Sequence, residues 1–315
     1  MEQFEPIKEP IRERRTVPRT ITPLSVAAVD GSDLLRFPLK QDALTAVVRS
    51  ALQEDGSFND LTTIATVLSD RRARARVVAR EKGVIAGVPI ALEAFRSLDP
   101  KVAIRVDLED GHPVSEGAPV LFVTGHARAL LSAERVALNF LQRLSGIASL
   151  TAKYVEAVKG TAAKILDTRK TTPGWRTLEK YAVRAGGGLN HRMDLATGVL
   201  IKDNHIAALD GDVALAVRRA REMAPANVKV EVECESIEQV VQALEAGADI
   251  ILLDNMAPPL MAECVRLVKG RAIVEASGGV DLTTVREIAE TGVNWISIGA
   301  LTHSARAMDL ALDFE

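Results

Sequence analysis

The stretch VKVEVECESIEQVVQALEAGADIILLDN, residues 228–255, decides the fold. Two short aliphatic, largely β-branched runs, Val228 to Val232 and Ile250 to Leu253, flank an amphipathic segment of helical length, Ile237 to Ala246. Strand, helix, strand is the unit of a parallel sheet, because a parallel neighbour needs a crossover long enough to hold a helix. Each run closes on an acid, Glu233 after the first and Asp254-Asn255 after the second. The pattern recurs outward, with apolar cores at Ile165-Leu166, Val199 to Ile201, Ala272 to Val274 and Trp295 to Ile298. Helix-length segments are expected between all but the first two. The spacing is regular: Glu233 to Asp254 is 21 residues, Asp254 to Glu275 is 21 and Glu275 to Gly299 is 24. Six strands are two short of an eight-fold barrel. Periodicity alone leaves a partial barrel and an open doubly wound sheet both standing.

Upstream the character changes. Leu44, Val47, Val48, Ala51 and Leu52 form one stripe and predict a helix over Gln41 to Gln53. Arg74 to Arg80, Gly83 to Val88, Val102 to Leu108 and Pro119 to Thr124 read as strands, so this part is α+β. Leu130 to Lys159 is helical in pattern, with a break expected at Ser145-Gly146. Pro6, Pro10, Pro18, Pro23 and Pro38 interrupt any helix in the first forty residues. The expected organisation is an irregular arm at 1–40, an α+β domain at 41–138 and an α/β domain at 139–315, whose last residues pack back on the α+β domain.

Composition narrows the function. The 315 residues are 47% hydrophobic, enough for a sizeable core, and only 3% aromatic, too few for base-stacking platforms. A net charge of −3 argues against a nucleic-acid or anionic-membrane partner. The longest run free of Asp, Glu, Lys and Arg, Thr291 to Ala305, is 15 residues, too short and too polar to span a bilayer. Cys234 and Cys264 alone make neither a disulfide framework nor a zinc site. A cytoplasmic protein is expected.

In a parallel barrel every strand C-terminus points to one rim, and that rim holds the active site. Here the strand ends carry Asp167-Thr168-Arg169-Lys170, Lys202-Asp203-Asn204-His205, Glu233, Asp254-Asn255, Glu275-Ala276-Ser277-Gly278-Gly279 and Gly299-Ala300. Between Arg135 and Lys202, 12 Lys and Arg stand against four acids, a local excess suited to a polyanionic ligand. Arg169, Arg192 and Arg135 are candidates for binding carboxylate or phosphate bidentately. Ser277-Gly278-Gly279 and Gly299-Ala300 follow the last two strands, where barrels build phosphate sites from backbone N–H groups. Gly186-Gly187-Gly188 is no dinucleotide fingerprint, because it leads into Asn190-His191-Arg192 instead of joining strand to helix. Glu233 and Asp254 are expected either to hold Mg²⁺ through water or to pair Lys170 and Lys202. His191 is the best placed histidine, and Cys234 reads as a buried small residue.

Asp167 to Gly174 (DTRKTTPG), the run Gly186 to Arg192 (GGGLNHR), Ile201 to His205 (IKDNH), Leu252 to Asn255 (LLDN), Glu275 to Gly279 and Gly299 to His303 occur in one fixed order. From about residue 41 to the C-terminus that ordered set resembles the quinolinate phosphoribosyltransferase family. The resemblance implies an N-terminal α+β domain followed by an incomplete, six-stranded parallel α/β barrel. It implies transfer of a ribose 5-phosphate group from phosphoribosyl pyrophosphate to quinolinate with loss of CO₂, aided by Mg²⁺. By resemblance, Arg135, Thr168, Arg169, His191, Arg192 and Lys202 surround quinolinate, with Lys170 near both substrates. Glu233 and Asp254 lie near the ribose hydroxyls and the metal, and Ser277, Gly278, Gly279, Gly299 and Ala300 take the phosphate. Lys170, Glu233 and Asp254 are the expected catalytic residues. The resemblance also implies a homodimer in which Arg135 enters the partner's site. The rival readings are a relative associated with molybdenum transport, a Schiff-base aldolase using Lys170 or Lys202, and a catalytically silent barrel that only binds a nucleotide or a partner protein.

Overall fold

The computed structural model describes residues 35–315. Residues 1–34 of the expected arm therefore lie outside the described residues. In chain order come α1 (Gln41–Glu54), α2 (Leu61–Thr66), β1 (Arg72–Ala79), β2 (Gly83–Val84), α3 (Val88–Leu98), β3 (Ala103–Val106), β4 (Pro113–Val114), β5 (Pro119–His126) and α4 (Ala127–Ala157). They are followed by β6 (Lys164–Leu166), α5 (Arg176–Ala185), β7 (Val199–Ile201), α6 (Asp203–Ala207), α7 (Val213–Met223), β8 (Val230–Cys234), α8 (Ile237–Glu245) and β9 (Ile250–Asp254). The chain ends with α9 (Pro258–Val268), β10 (Ile273–Ser277), α10 (Val285–Glu290), β11 (Trp295–Ser297), α11 (Ala300–His303) and β12 (Leu310–Phe314).

The first part is an antiparallel sheet in the order β12-β1-β5-β3, packed with α1, α3 and the start of α4. Its edge strand β12 comes from the far end of the chain, so Ala75 lies opposite Phe314 and Ala79 opposite Leu310. The second part is a parallel sheet in the order β6-β11-β10-β9-β8-β7. β6 and β7 are its two edges, which makes it an incomplete barrel of six strands. Leu189 makes a single parallel bridge to Leu166 and covers part of the open edge. The helices follow from local chemistry. In α8, Ser236 caps the first turn by accepting from Gln239 N at 3.3 Å, and Val240 and Ala243 face the sheet. Gly247 ends that helix at φ +87°, a conformation that side chains with a Cβ rarely adopt.

Three expectations need correction. The break at Ser145-Gly146 does not occur: α4 is one helix of 31 residues, running through the expected domain boundary at 138/139. The two residues serve packing instead. The Ser145 hydroxyl accepts from Ala86 N at 3.0 Å and donates to Ala86 O at 3.2 Å. A Cβ on Gly146 would sit 2.1 Å from Arg306 O, so glycine is what lets the returning C-terminal segment lie against the helix. Second, β6 and β7 are separated by a helix, α5, whose buried face includes Glu179 and Lys180 beside Leu178 and Tyr181. Leu178, Tyr181, Ala182 and Ala185 do recur at helical spacing, but Glu179 and Lys180, buried beside them, blur the division into an apolar and a charged face. Third, Gly83 to Val88 is a strand only as far as Val84, and Pro89 in the first turn opens α3.

Among the described residues no helix is long and apolar enough to cross a membrane.

Candidate active site

Side chains alternate along a strand, so Glu231 and Glu233 share one face of β8. Ile250, Leu252 and Asp254 likewise share a face of β9, and Ile273, Glu275 and Ser277 a face of β10. The register pairs Glu233 with Leu252, Leu252 with Glu275, and Asp254 with Ser277, so these residues line the barrel interior together. Leu166, Ile250 and Trp295, with Leu189 and Ile273 against them, form a separate small core cluster at the inner end. Above it the interior turns polar. β8, β9 and β10 run one to three residues further than the sequence suggests, which places Glu275 within β10, fully buried, and not on the rim.

This buried floor is an ionic network. Asp167 follows β6 with no exposure, and the Lys180 ammonium of α5 donates to its Oδ1. Lys180 also donates to His191 O at 3.0 Å, Asn190 Nδ2 donates to Asp167 Oδ2 at 2.6 Å, and His191 N donates to Asp167 Oδ1 at 2.9 Å. Burial raises the Asp167 carboxyl against the opposing pull of Lys180, and burial lowers the Lys180 ammonium. His191 Nδ1 accepts from Arg192 N at 2.8 Å, which leaves the ring proton on Nε2, 3.1 Å from Glu231. Burial pulls the His191 pKa down, but the hydrogen bond and charge of Glu231 and the charge of Glu275 outweigh it and the net shift is upward. Glu275 is pushed up to about 8 by burial and by Glu231, and among the described residues neither of its oxygens has a hydrogen-bond partner. His191, Glu231 and Glu275 offer ligand atoms within 4.8 Å of one another. With Nδ1 accepting a backbone N–H, Nε2 has no lone pair for a metal, so this cluster shares protons and does not read as a cation site.

The rim is different. Arg169 and Arg192 are close enough that the charge of Arg169, after burial, lowers the Arg192 guanidinium. Arg192 Nη1 donates to Gly198 O at 3.0 Å, and Arg169 Nε is buried without a partner. Among the described residues Arg169, Lys170 and Arg192 form no ion pair with any carboxylate, although they stand at one mouth. Thr168 Oγ1 accepts from Lys170 N at 3.0 Å and shapes the loop that carries them. Lys202, at the end of β7, does pair: its ammonium lies 2.7 Å from Glu233 Oε2. Asp254 is raised by burial and then by the charge of Glu233, so the two carboxylates face a common space. On the far side, Gly278 has φ +92°, and a Cβ there would sit 2.2 Å from Asn255 Oδ1, so only glycine fits. Ser277, Gly279 and Ala300 are at the same edge, partly or fully exposed, and a Cβ on Gly299 would lie 3.0 Å from Lys170 Cδ. Arg135 stands apart. It is exposed, makes no hydrogen bond among the described residues, and lies about 12 Å along α4 before Arg143, which does reach the barrel.

The mouth thus joins unpaired cations, a carboxylate pair and a glycine-lined edge, an arrangement suited to anionic ligands. Comparison with known proteins decides the family. The model described as quinolinate phosphoribosyl transferase, N-terminal domain, matches residues 60–145, and its C-terminal domain matches 147–313. The chain belongs to the quinolinate phosphoribosyltransferase family. It is 46% identical over 280 residues to the nicotinate-nucleotide pyrophosphorylase (carboxylating) of Mycobacterium leprae, covering 86% of this chain and 97% of the relative. It is 40% identical over 323 residues to the chloroplastic enzyme of Arabidopsis thaliana, covering 95% and 92%. The solved structure of the nicotinate-nucleotide pyrophosphorylase from Francisella tularensis superposes with a TM-score of 0.83 at 38% identity, covering 89% of this chain and 98% of that one.

Within this family fold, sequence reasoning missed the floor: Glu231 and Asn190 were given no role, and Lys180, which reads from the sequence as solvating a helix surface, is fully buried. The signal was present in Val230-Glu231-Val232-Glu233, where alternation places both acids on the face opposite the valines. For Lys180 there was none, because a lysine on a helix is ordinarily a solvated one.

Proposed function

We propose that this mouth carries out the family reaction with its two halves divided by charge. The reaction transfers the phosphoribosyl group of phosphoribosyl pyrophosphate to the ring nitrogen of quinolinate, with release of pyrophosphate and CO₂, and yields nicotinate mononucleotide for NAD synthesis. Arg169, Lys170, Arg192 and Lys202, with Thr168 and His191 shaping the pocket, take the two quinolinate carboxylates. Glu233 and Asp254 face the ribose, and Ser277, Gly278, Gly279, Gly299 and Ala300 take its 5-phosphate. The observation that carries this reading is the group of cations left without carboxylate partners, Arg169 above all, since a buried, unpartnered guanidinium nitrogen calls for an anionic ligand.

As pyrophosphate departs, positive charge spreads over C1 and the ring oxygen of the ribose, and the carboxylates of Glu233 and Asp254 favour that state. The quinolinate nitrogen then bonds to C1 and becomes cationic. When the adjacent carboxylate leaves as CO₂, its bonding electrons remain on the carbon beside that cation, and a proton replaces it. The chain's contribution to this last step is to hold the ring in place. Lys202 occupies only Oε2 of Glu233, and the Asp254 carboxyl, raised by burial and by the charge of Glu233, gains from a neighbouring cation. Hard carboxylate oxygens of this kind suit Mg²⁺ held partly through water. Bound there, the ion would neutralise charge on the departing pyrophosphate.

A homodimer is proposed on a surface feature. Arg128 donates to Val67 O at 2.7 Å and to Ile64 O at 3.1 Å, and Ser132 donates to Asp60 at 2.9 Å, so α2 is fastened to the part of α4 that carries Arg135. Phe58, Leu61, Ile64 and Leu68 are exposed there, an apolar patch suited to a second copy, with Arg135 at its edge to enter the partner's mouth. Mixing Arg135→Ala with Lys170→Ala should then restore partial activity. Both cysteines are buried free thiols, in keeping with the cytoplasm as the proposed compartment.

The deciding assay supplies phosphoribosyl pyrophosphate, Mg²⁺ and either quinolinate or nicotinate, and follows nucleotide and CO₂. Product from quinolinate alone, one CO₂ per nucleotide, is expected. Product from nicotinate alone would break the dicarboxylate reading.

A further inference from the structure

Two buried residues that lie outside the substrate-facing set tie the mouth together. Glu179 on α5 has no exposure, and its carboxylate accepts four hydrogen bonds. Arg143 of α4 donates from Nη2 at 2.7 Å and from Nε at 3.2 Å, Thr172 N donates at 3.0 Å, and the Thr172 hydroxyl donates at 2.8 Å. The rest of the Arg143 guanidinium turns to the other side of the mouth. Nη1 donates to Ala305 O at 2.9 Å, and Nη2 also donates to Thr302 O. Thr302, fully buried on α11, closes the ring by donating its hydroxyl to Lys170 O at 2.7 Å.

The contacts form a closed circuit: Arg143 to Glu179, Glu179 to Thr172, two residues along the chain to Lys170, Lys170 to Thr302, and Thr302 back to Arg143. Together these links tie the loop after β6 to the turn after β11, directly through Lys170 and Thr302 and indirectly through Glu179 of α5 and Arg143 of α4. These are the segments that carry Lys170 and Gly299, and the close approach of Gly299 to Lys170 Cδ is the contact the circuit encloses. A second contact fixes the same loop from the same helix, since Phe140 of α4 stacks on Trp175 at 4.8 Å.

We infer that Arg143 and Glu179 are positioning residues for the transfer step, setting the distance between the Lys170 loop and the phosphate-binding turn at Gly299. The inference rests on the assignment of Lys170 and Gly299 to the substrates. The guanidinium fork is essential to it, because one group must reach a carboxylate and two carbonyls in different directions, which a lysine ammonium on a flexible stem does not reproduce. Arg192 and Lys202, two of the quinolinate-facing cations, are held outside the circuit, so its main effect falls on the transfer step and less on quinolinate binding.

The test is steady-state kinetics on Arg143→Lys, Glu179→Gln and Thr302→Val, each alongside wild type and each with its melting temperature. Wild-type turnover of quinolinate comes first; its absence would count against the assigned reaction and not against the circuit. With turnover present, the expected result is a fall in kcat of roughly tenfold or more in Arg143→Lys and Glu179→Gln, with KM for quinolinate changed less than about threefold. Thr302→Val keeps the buried shape and loses only the hydroxyl, which donates to Lys170 O at 2.7 Å and has Gly299 O as a longer second acceptor at 3.3 Å, so it should fold normally and still lose several-fold in kcat. If the first two variants do not fold, Thr302→Val carries the decision. Wild-type kcat in folded Thr302→Val, or Arg143→Lys matching wild type, would reduce Arg143 and Glu179 to ordinary structural contacts and overturn the inference.

Discussion

Lys180 and Lys202 each pair with a carboxylate at a strand end of the same barrel, yet the first side chain is 1% exposed and the second 46%. Lys180 is held by Asp167 and by His191 O, and Asp167 in turn accepts from Asn190 Nδ2 and His191 N. Lys202 is about half exposed and touches a single oxygen of Glu233. The two pairs look alike on paper and differ in what they do. In the dry floor an ionic contact fixes the backbone at Asn190 and His191, and through it the direction of Arg192. At the wet rim an ionic contact is weak enough to be exchanged for a substrate carboxylate. Burial separates the parts of the site that build geometry from the parts that bind.

The largest effect should come from breaking the floor. Lys180→Met removes the cation from a fully buried Asp167 and leaves it with Asn190 Nδ2 and His191 N alone. Breaking one side of a buried pair costs about 3–5 kcal/mol, so the urea midpoint should fall steeply and quinolinate turnover with it. The double variant Lys180→Met, Asp167→Leu should recover part of the loss, because no buried charge is left unpaired. A single-variant loss under about 1 kcal/mol, no larger than a surface pair gives, would erase the distinction between floor and rim.

The same distinction explains what the sequence makes legible. Rim residues sit at strand ends beside glycine, asparagine and threonine, so Arg169, Lys202, Glu233, Asp254 and Gly278 stand out against the apolar runs that precede them. The six strands and the antiparallel strands β1 and β5 are visible for the same reason, since each is a short run of one face or two. Floor residues are hidden inside elements. Glu275 reads as the close of a strand and turns out to lie within it. Lys180 and Glu179 sit on a helix whose buried side is charged, and Ser145-Gly146 looks like a breaker while it packs one helix against two other segments. In each case a long-range partner, such as Asp167, Arg143 or Arg306, gives the residue its meaning, and local pattern does not reveal it.

A second prediction uses pH to separate floor from rim. The pKa of Glu275 in the folded chain is about 8, above the ordinary carboxylate value, so the folded state keeps a proton that the unfolded state releases. Its contribution therefore lowers stability as pH rises from the ordinary carboxylate range to about 8, and levels off beyond both values. Glu275→Gln cannot titrate and should remove that slope. Melting temperatures taken from pH 5 to pH 8 should fall less in the variant than in wild type, by the equivalent of on the order of 3 kcal/mol across the window. Parallel curves for the two proteins would mean that Glu275 is ionised throughout and that its charge is met by His191.

The smallest effect on stability belongs to the rim, and its size is informative because activity should not follow it. Lys202→Ala removes an exposed partner of Glu233 and should change unfolding free energy by about 1 kcal/mol or less, an effect that shrinks further in salt. A charge-assisted hydrogen bond to a substrate carboxylate contributes about 1.5–3 kcal/mol, so KM for quinolinate should still rise by roughly tenfold or more. KM for phosphoribosyl pyrophosphate should move far less, since Glu233 and Asp254 remain. The two numbers together locate the residue: a large KM change with no loss of stability is what a binding group on a preformed wall produces. If instead stability and quinolinate binding fell together, Lys202 would belong with Lys180, and the rim would be part of the scaffold it stands on.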